Sequence, residues 1–167
     1  MRQEEKEFLN LAGEFAVASE LNRRQVLASV TYGASKRADL FALSSDMSRF
    51  VRIEVKATTP KGKRTKWAVG VGGTKDIPID VFWVLVLFPS TLDGAPADSL
   101  QLAAQAPRFY VLSQKEVYLE FRKAADEYDR RKGAPFTGRG FPSVFLKDVE
   151  PYEGQWQKII KLLGNSK

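Results

Sequence analysis

The unbroken apolar run VFWVLVLF at residues 81–88 constrains this chain more than any other feature. It is far too short to cross a bilayer, and its β-branched and aromatic residues mark a strand. Neither face of such a strand is polar, so both must be covered. That places it inside a sheet with packed layers, and the flanking sequence shows what supplies them.

Residues 3–23 carry Phe8, Leu11, Ala12, Phe15, Ala18 and Leu21 at 3–4 spacing. This predicts a helix with that stripe buried, Gly13 inside it and Glu14 at the stripe's edge. QVLASVTY (25–32), ADLFALS (38–44) and FVRIEVKA (50–57) read as strands, with SDMS turning the chain between the last two. RFYVLS (108–113) is another strand. Ser113 with Glu116 then forms an S-x-x-E capping box that opens a helix running to about Arg130. GQWQKIIKLLG (154–164) is a short amphipathic helix with Trp156, Ile159, Ile160 and Leu163 on one side. The segments 58–78 and 130–143 read as basic loops, and 90–107 as a surface insertion. The three tryptophans, Trp67, Trp83 and Trp156, are expected in the core, with Trp67 the best placed to meet a base because it follows a basic loop. At 167 residues the expectation is a single α/β domain over 1–167, with a central mixed sheet of about five strands flanked by helices.

Two absences narrow the chemistry. The chain has no cysteine and no histidine, which excludes disulfides, thiolate nucleophiles, His-based triads and the usual zinc ligand sets. Acid–base or metal chemistry must use Asp, Glu, Lys, Tyr and water, and a metal held by oxygen alone is a hard one such as Mg²⁺ or Mn²⁺. The start MRQEEKEF is polar and of mixed charge, unlike a signal peptide, so a cytoplasmic chain with no membrane partner is expected.

The formal net charge of +6 favours a polyanionic partner, and its placement says more than its size. Between Arg49 and Lys66 lie seven basic residues against the single acid Glu54, whereas the first 25 residues are slightly acidic. The excess surrounds FVRIEVKA. In that strand Val51, Ile53 and Val55 point one way and Arg52, Glu54 and Lys56 the other. If the strand holding Asp39 pairs with it, two carboxylates and an ammonium share one face. A divalent cation relieves the repulsion between the carboxylates, polarises a phosphate oxygen and activates water, and Lys56 steadies the charge that develops. The E-x-K spacing alone carries little, since Glu4-Glu5-Lys6 repeats it. Its context, a strand with Asp39 opening the preceding one, carries the weight.

With GEFAVASEL, RADLFAL and RIEVKA in this order, the chain resembles the PD-(D/E)XK nuclease superfamily, in particular its small prokaryotic members. KW at 66–67, DVFWVLV at 80–86, RFYVLS and YEGQWQKI at 152–159 continue the resemblance over most of the chain. It implies a restriction-endonuclease-like fold and a Mg²⁺-dependent endonuclease, with Mn²⁺ able to substitute. By position it makes Asp39 and Glu54 the metal carboxylates, Lys56 the catalytic lysine and Glu14 an assisting acid. Ala38 stands where the "PD" proline would be. Lys36, Arg37, Lys61, Lys63, Arg64, Lys66, Arg131, Lys132 and Arg139 are the expected contacts to a nucleic-acid backbone, most naturally DNA. Cutting both strands of a duplex needs two sites, hence an expected homodimer. The alternative is a catalytically idle module that binds nucleic acid or protein on the same fold.

Overall fold

The apolar run becomes the strand fourth in order across a five-stranded mixed sheet, and its side chains divide the protein into two cores. The structure is a computed structural model describing residues 2–31, 38–70, 73, 75, 81–89, 106–133 and 142–164. In chain order the elements are α1 (Gln3–Arg23), β1 (Leu27–Val30), β2 (Leu40–Leu43), β3 (Phe50–Thr58), β4 (Lys66–Ala68), β5 (Val81–Leu87) and β6 (Arg108–Ser113). There follow α2 (Gln114–Lys132), β7 (Ser143–Phe145), α3 (Leu146–Val149), a 3₁₀ turn (Glu150–Tyr152) and α4 (Gln157–Leu163). The sheet order is β1-β2-β3-β5-β6, antiparallel except for the parallel pair β3–β5. This is the expected α/β architecture.

Alternation along β5 decides which layer covers which side. Phe82, Val84 and Val86 join Val17, Leu21, Val51, Ile53, Val55 and Ile159 in a core under α1 and α4. Trp83, Leu85 and Leu87 join Tyr110, Leu112, Val117 and Phe121 in a second core under α2. The capping box at the start of α2 is present: the Ser113 Oγ accepts the Glu116 N–H, and a Glu116 carboxylate oxygen accepts the Ser113 N–H at 2.7 Å. The turn at 45–48 is held by Asp46, whose carboxylate accepts the Ser44 hydroxyl at 2.6 Å and the Ser48 N–H at 3.0 Å.

Two expectations change. The stripe of Phe8, Leu11 and Phe15 is not buried; these side chains are 65%, 36% and 49% exposed, and α1 turns Gly13, Glu14, Val17 and Leu21 inward instead. Gly13 is the physical reason. A Cβ there would stand 3.0 Å from Ala57 Cβ and 3.3 Å from Val55 Cγ1, so the helix seats closely on β3 only through the residue without a side chain. Fixing Gly13 inward fixes Glu14 inward too and rotates Phe8 and Phe15 outward. Second, the 58–78 segment is not all loop. Lys66–Ala68 is a strand, antiparallel to Ser143–Phe145, and this separate two-stranded sheet adds Trp67 and Val144 to the second core.

Candidate active site

The β2–β3 ladder runs from Leu43↔Phe50 to Leu40↔Ile53, and Asp39 stands just beyond its last pair. The Asp39 N–H still donates to the Ile53 carbonyl at 3.1 Å. Its side chain then substitutes for a ladder carbonyl, with Oδ2 accepting the Val55 N–H at 2.8 Å. The backbone of β3 thereby fixes this carboxylate beside Glu54.

Glu54 and Lys56 project from the β3 face opposite Val51, Ile53 and Val55, as the alternation requires. The Lys56 Nζ lies 3.6 Å from Asp39 Oδ2 and 3.8 Å from Glu54 Oε2. It donates to the Val55 carbonyl at 3.0 Å and sits 5.8 Å from the centre of the Trp83 ring. All three charged side chains are partly buried yet open to solvent. Trp83 is paired with Glu54 across the parallel ladder, and its indole N–H donates to Gln114 Oε1 at 2.8 Å. Gln114 in turn donates to the Lys75 carbonyl at 2.8 Å. Trp83 and Gln114 thus support the lysine from beneath. Sequence pattern marked Trp83 only as core, because its neighbour depends on a strand pairing that periodicity does not encode.

Burial pushes the Glu54 carboxyl above its ordinary value, and the Asp39 charge pushes it further. Lys56 and Arg52 oppose the shift, while Glu14 adds to it. Glu14 is therefore within electrostatic reach of Glu54, although it sits buried on α1 rather than at the edge of an apolar stripe. The folded state holds the Glu54 proton more tightly than the unfolded chain, so ionised Glu54 detracts from stability and stability falls as pH rises above about 4.5, the ordinary glutamate value. Glu54→Gln is expected to melt higher than wild type at pH 7, with the gap closing as pH drops below that value. Mg²⁺ should raise the wild-type Tm and leave that of Glu54→Gln unmoved, a readout independent of turnover.

Among the described residues no three acidic side chains gather as a metal-holding cluster. What the site offers is two carboxylates around one cation position, which Lys56 now shares. Mg²⁺ commonly takes one or two protein carboxylates, keeps several waters and accepts the remaining oxygens from a phosphate. Asp39 and Glu54 fit that ion and fit zinc poorly.

Of the expected backbone contacts, Lys61, Lys63, Arg64 and Lys66 are all exposed on the turn that leaves the site strand. Thr65, fully buried, shapes this turn: its Oγ1 accepts the Lys61 N–H at 2.7 Å and donates to the Gly62 carbonyl at 2.8 Å. Arg131 lies in the last turn of α2, against the Tyr128 ring, on an element separate from the site strands. Lys36, Arg37 and Arg139 lie outside the described residues, as does the side chain of Lys132 and nearly all of the insertion expected at 90–107. Trp67 is not a surface platform. It is 1% exposed and donates its indole N–H to the Val86 carbonyl at 3.0 Å.

The chain matches no protein-family model, no curated protein and no solved structure.

Proposed function

We propose that the chain is a Mg²⁺-dependent endonuclease of the PD-(D/E)XK type that hydrolyses phosphodiester bonds in DNA. One observation carries this reading: Asp39 and Glu54, brought from adjacent strands, flank a single ammonium at 3.6 and 3.8 Å. A salt bridge on a solvated sheet face needs one acid per base. Here two acids converge on one base, and burial already disfavours the ionised form of one of them. That is a costly arrangement for stability and a useful one for chemistry.

When bound between Asp39 and Glu54, Mg²⁺ supplies Lewis-acid polarisation of the scissile phosphate. The chain's own residues do the rest. Lys56, tethered to Asp39 Oδ2 and to the Val55 carbonyl, sets its positive charge where negative charge grows on the phosphate oxygens. Glu54 would share the ion with Asp39, and its raised proton affinity makes metal binding compete with protonation at low pH. Trp83 excludes water beneath the lysine and so strengthens its field. The exposed cations of the Lys61–Lys66 turn follow the site strand directly and suit backbone phosphates, which position a strand without reading its sequence. A second copy would supply the second site needed to cut both strands.

The test is nicking of supercoiled plasmid. Wild type should convert it to open circles with Mg²⁺ and leave it intact in EDTA, and Asp39→Ala should leave it intact in both. Cutting that persists in Asp39→Ala would remove the site from the reaction.

A further inference from the structure

The two cores do not cover the sheet equally. α1 and α4 close the side of β1–β2–β3 that carries Val30, Leu40, Ala42, Val51 and Ile53. On the opposite side the second core lies over β5 and β6, and among the described residues no element lies over β1 and β2. The registers Leu27↔Leu43, Ser29↔Phe41 and Phe41↔Arg52 put Leu27, Phe41, Leu43, Phe50 and Arg52 together on that open face. Phe50 is 61% and Leu27 53% exposed, and the Phe41 and Phe50 ring centres are 5.8 Å apart. A single exposed phenylalanine is ordinary, but a two-ring apolar patch on an open sheet is not.

The face is continuous with the candidate site. Phe50, Arg52, Glu54 and Lys56 follow one another on the same side of β3, so the open ring and the catalytic carboxylate are about 13 Å apart along a strand. The order along that line is aromatic ring, guanidinium, carboxylate, ammonium.

We propose that this face is a stacking platform for unpaired bases, so that the strand entering the site is single-stranded DNA. The proposal rests on the nuclease reading for what happens at Glu54, but not for the binding itself. An exposed ring offers a π-face to any base, and a neighbouring guanidinium meets the phosphate that links it to the next. A duplex hides its base faces and gains nothing from Phe50. A second copy of the chain suits this surface less well, because Arg52 lies within it and the acids beside it belong to the site. Arg52 raises its own cost in an apolar self-contact and answers a phosphate directly.

The experiment measures binding in EDTA, where no cleavage can occur, by fluorescence anisotropy. The probes are a labelled single-stranded oligonucleotide, its duplex and an abasic strand of the same length. Wild type should prefer the single strand to both others. Phe50→Ala should lose about tenfold or more on the single strand, change the duplex and abasic affinities less than twofold, and be rescued by Phe50→Trp. Being exposed, Phe50 can be replaced without unfolding the sheet, and circular dichroism would verify this. Equal affinity for all three probes, or equal loss on all three, overturns the platform. So does light scattering in which Phe50→Ala splits a dimer while binding is unchanged. Wild type that nicks plasmid but shows no single-strand preference overturns the platform and leaves the nuclease standing. Phe50-dependent binding with no Mg²⁺-dependent cleavage of any of these DNAs does the reverse.

Discussion

Lys56→Ala should lower the rate of Mg²⁺-dependent DNA cleavage by about 10²–10³-fold, the scale on which removing one preorganised charge-stabilising group acts. The Lys56 Nζ is held from four directions, by Asp39 Oδ2, Glu54 Oε2, the Val55 carbonyl and the Trp83 ring. Little rotamer freedom remains to be lost when a phosphate arrives, so its charge acts at nearly full strength. Alanine removes that charge and leaves Asp39 and Glu54 facing each other without their counter-ion, which drives the Glu54 carboxyl still higher. The variant should therefore need a higher pH than wild type to reach its own maximum, but no more Mg²⁺, because the ammonium that shares the cation position is gone. Metal-free DNA affinity should fall only slightly, because the exposed Lys61, Lys63, Arg64 and Lys66 remain. Lys56→Arg is the sharper control: it keeps the charge but brings a planar group that cannot enter the same tether, and it should recover little activity. A Lys56→Ala rate within threefold of wild type would mean that the lysine takes no part in the reaction.

The features that could be read ahead of the structure share one property: they depend on neighbours close in sequence. The strand at 81–88, the alternation of Val51, Ile53 and Val55 against Arg52, Glu54 and Lys56, and the Ser113–Glu116 capping box are all local patterns, and all appear in the fold. The same alternation put Glu54 and Lys56 on one face, and the β2–β3 ladder then brought Asp39 to it. What could not be read was decided at a distance. β4 and β7 are three residues each and carry no periodicity; they exist because Trp67 finds Val144 across the two-stranded sheet. Hydrophobic periodicity misplaces the inward face of α1 because it weighs Phe8 and Phe15 heavily and Gly13 hardly at all. Close packing on Ala57 and Val55 reverses that weighting. The same rotation carries Glu14 into the interior, so the burial of that acid follows from the glycine beside it.

Trp67→Ala should destabilise the fold by ~3–5 kcal/mol, a large share of the ~5–15 kcal/mol that holds a domain together. The indole is the peg between the two sheets. It leaves β4, enters the second core against Tyr110 with ring centres 5.5 Å apart, and donates to the Val86 carbonyl of β5 at 3.0 Å. Truncation opens a cavity the width of a bicyclic ring beside Leu85, Tyr110 and Val144, where β4 and β7 have too few ladder bonds to keep their place unaided. Trp67→Phe separates the contributions. It keeps most of the packing and loses the indole hydrogen bond, so its cost should be nearer ~1–3 kcal/mol. Urea denaturation followed by circular dichroism measures both. The rival role for this tryptophan, a ring that stacks on a base, makes the opposite prediction: an unchanged urea midpoint and weakened binding to single-stranded DNA. Near-complete burial already opposes that role. The contrast with Phe50 is the useful one, since the two rings should fail in different assays: alanine at 67 should cost stability first, and alanine at 50 should cost single-strand affinity while the urea midpoint stays put.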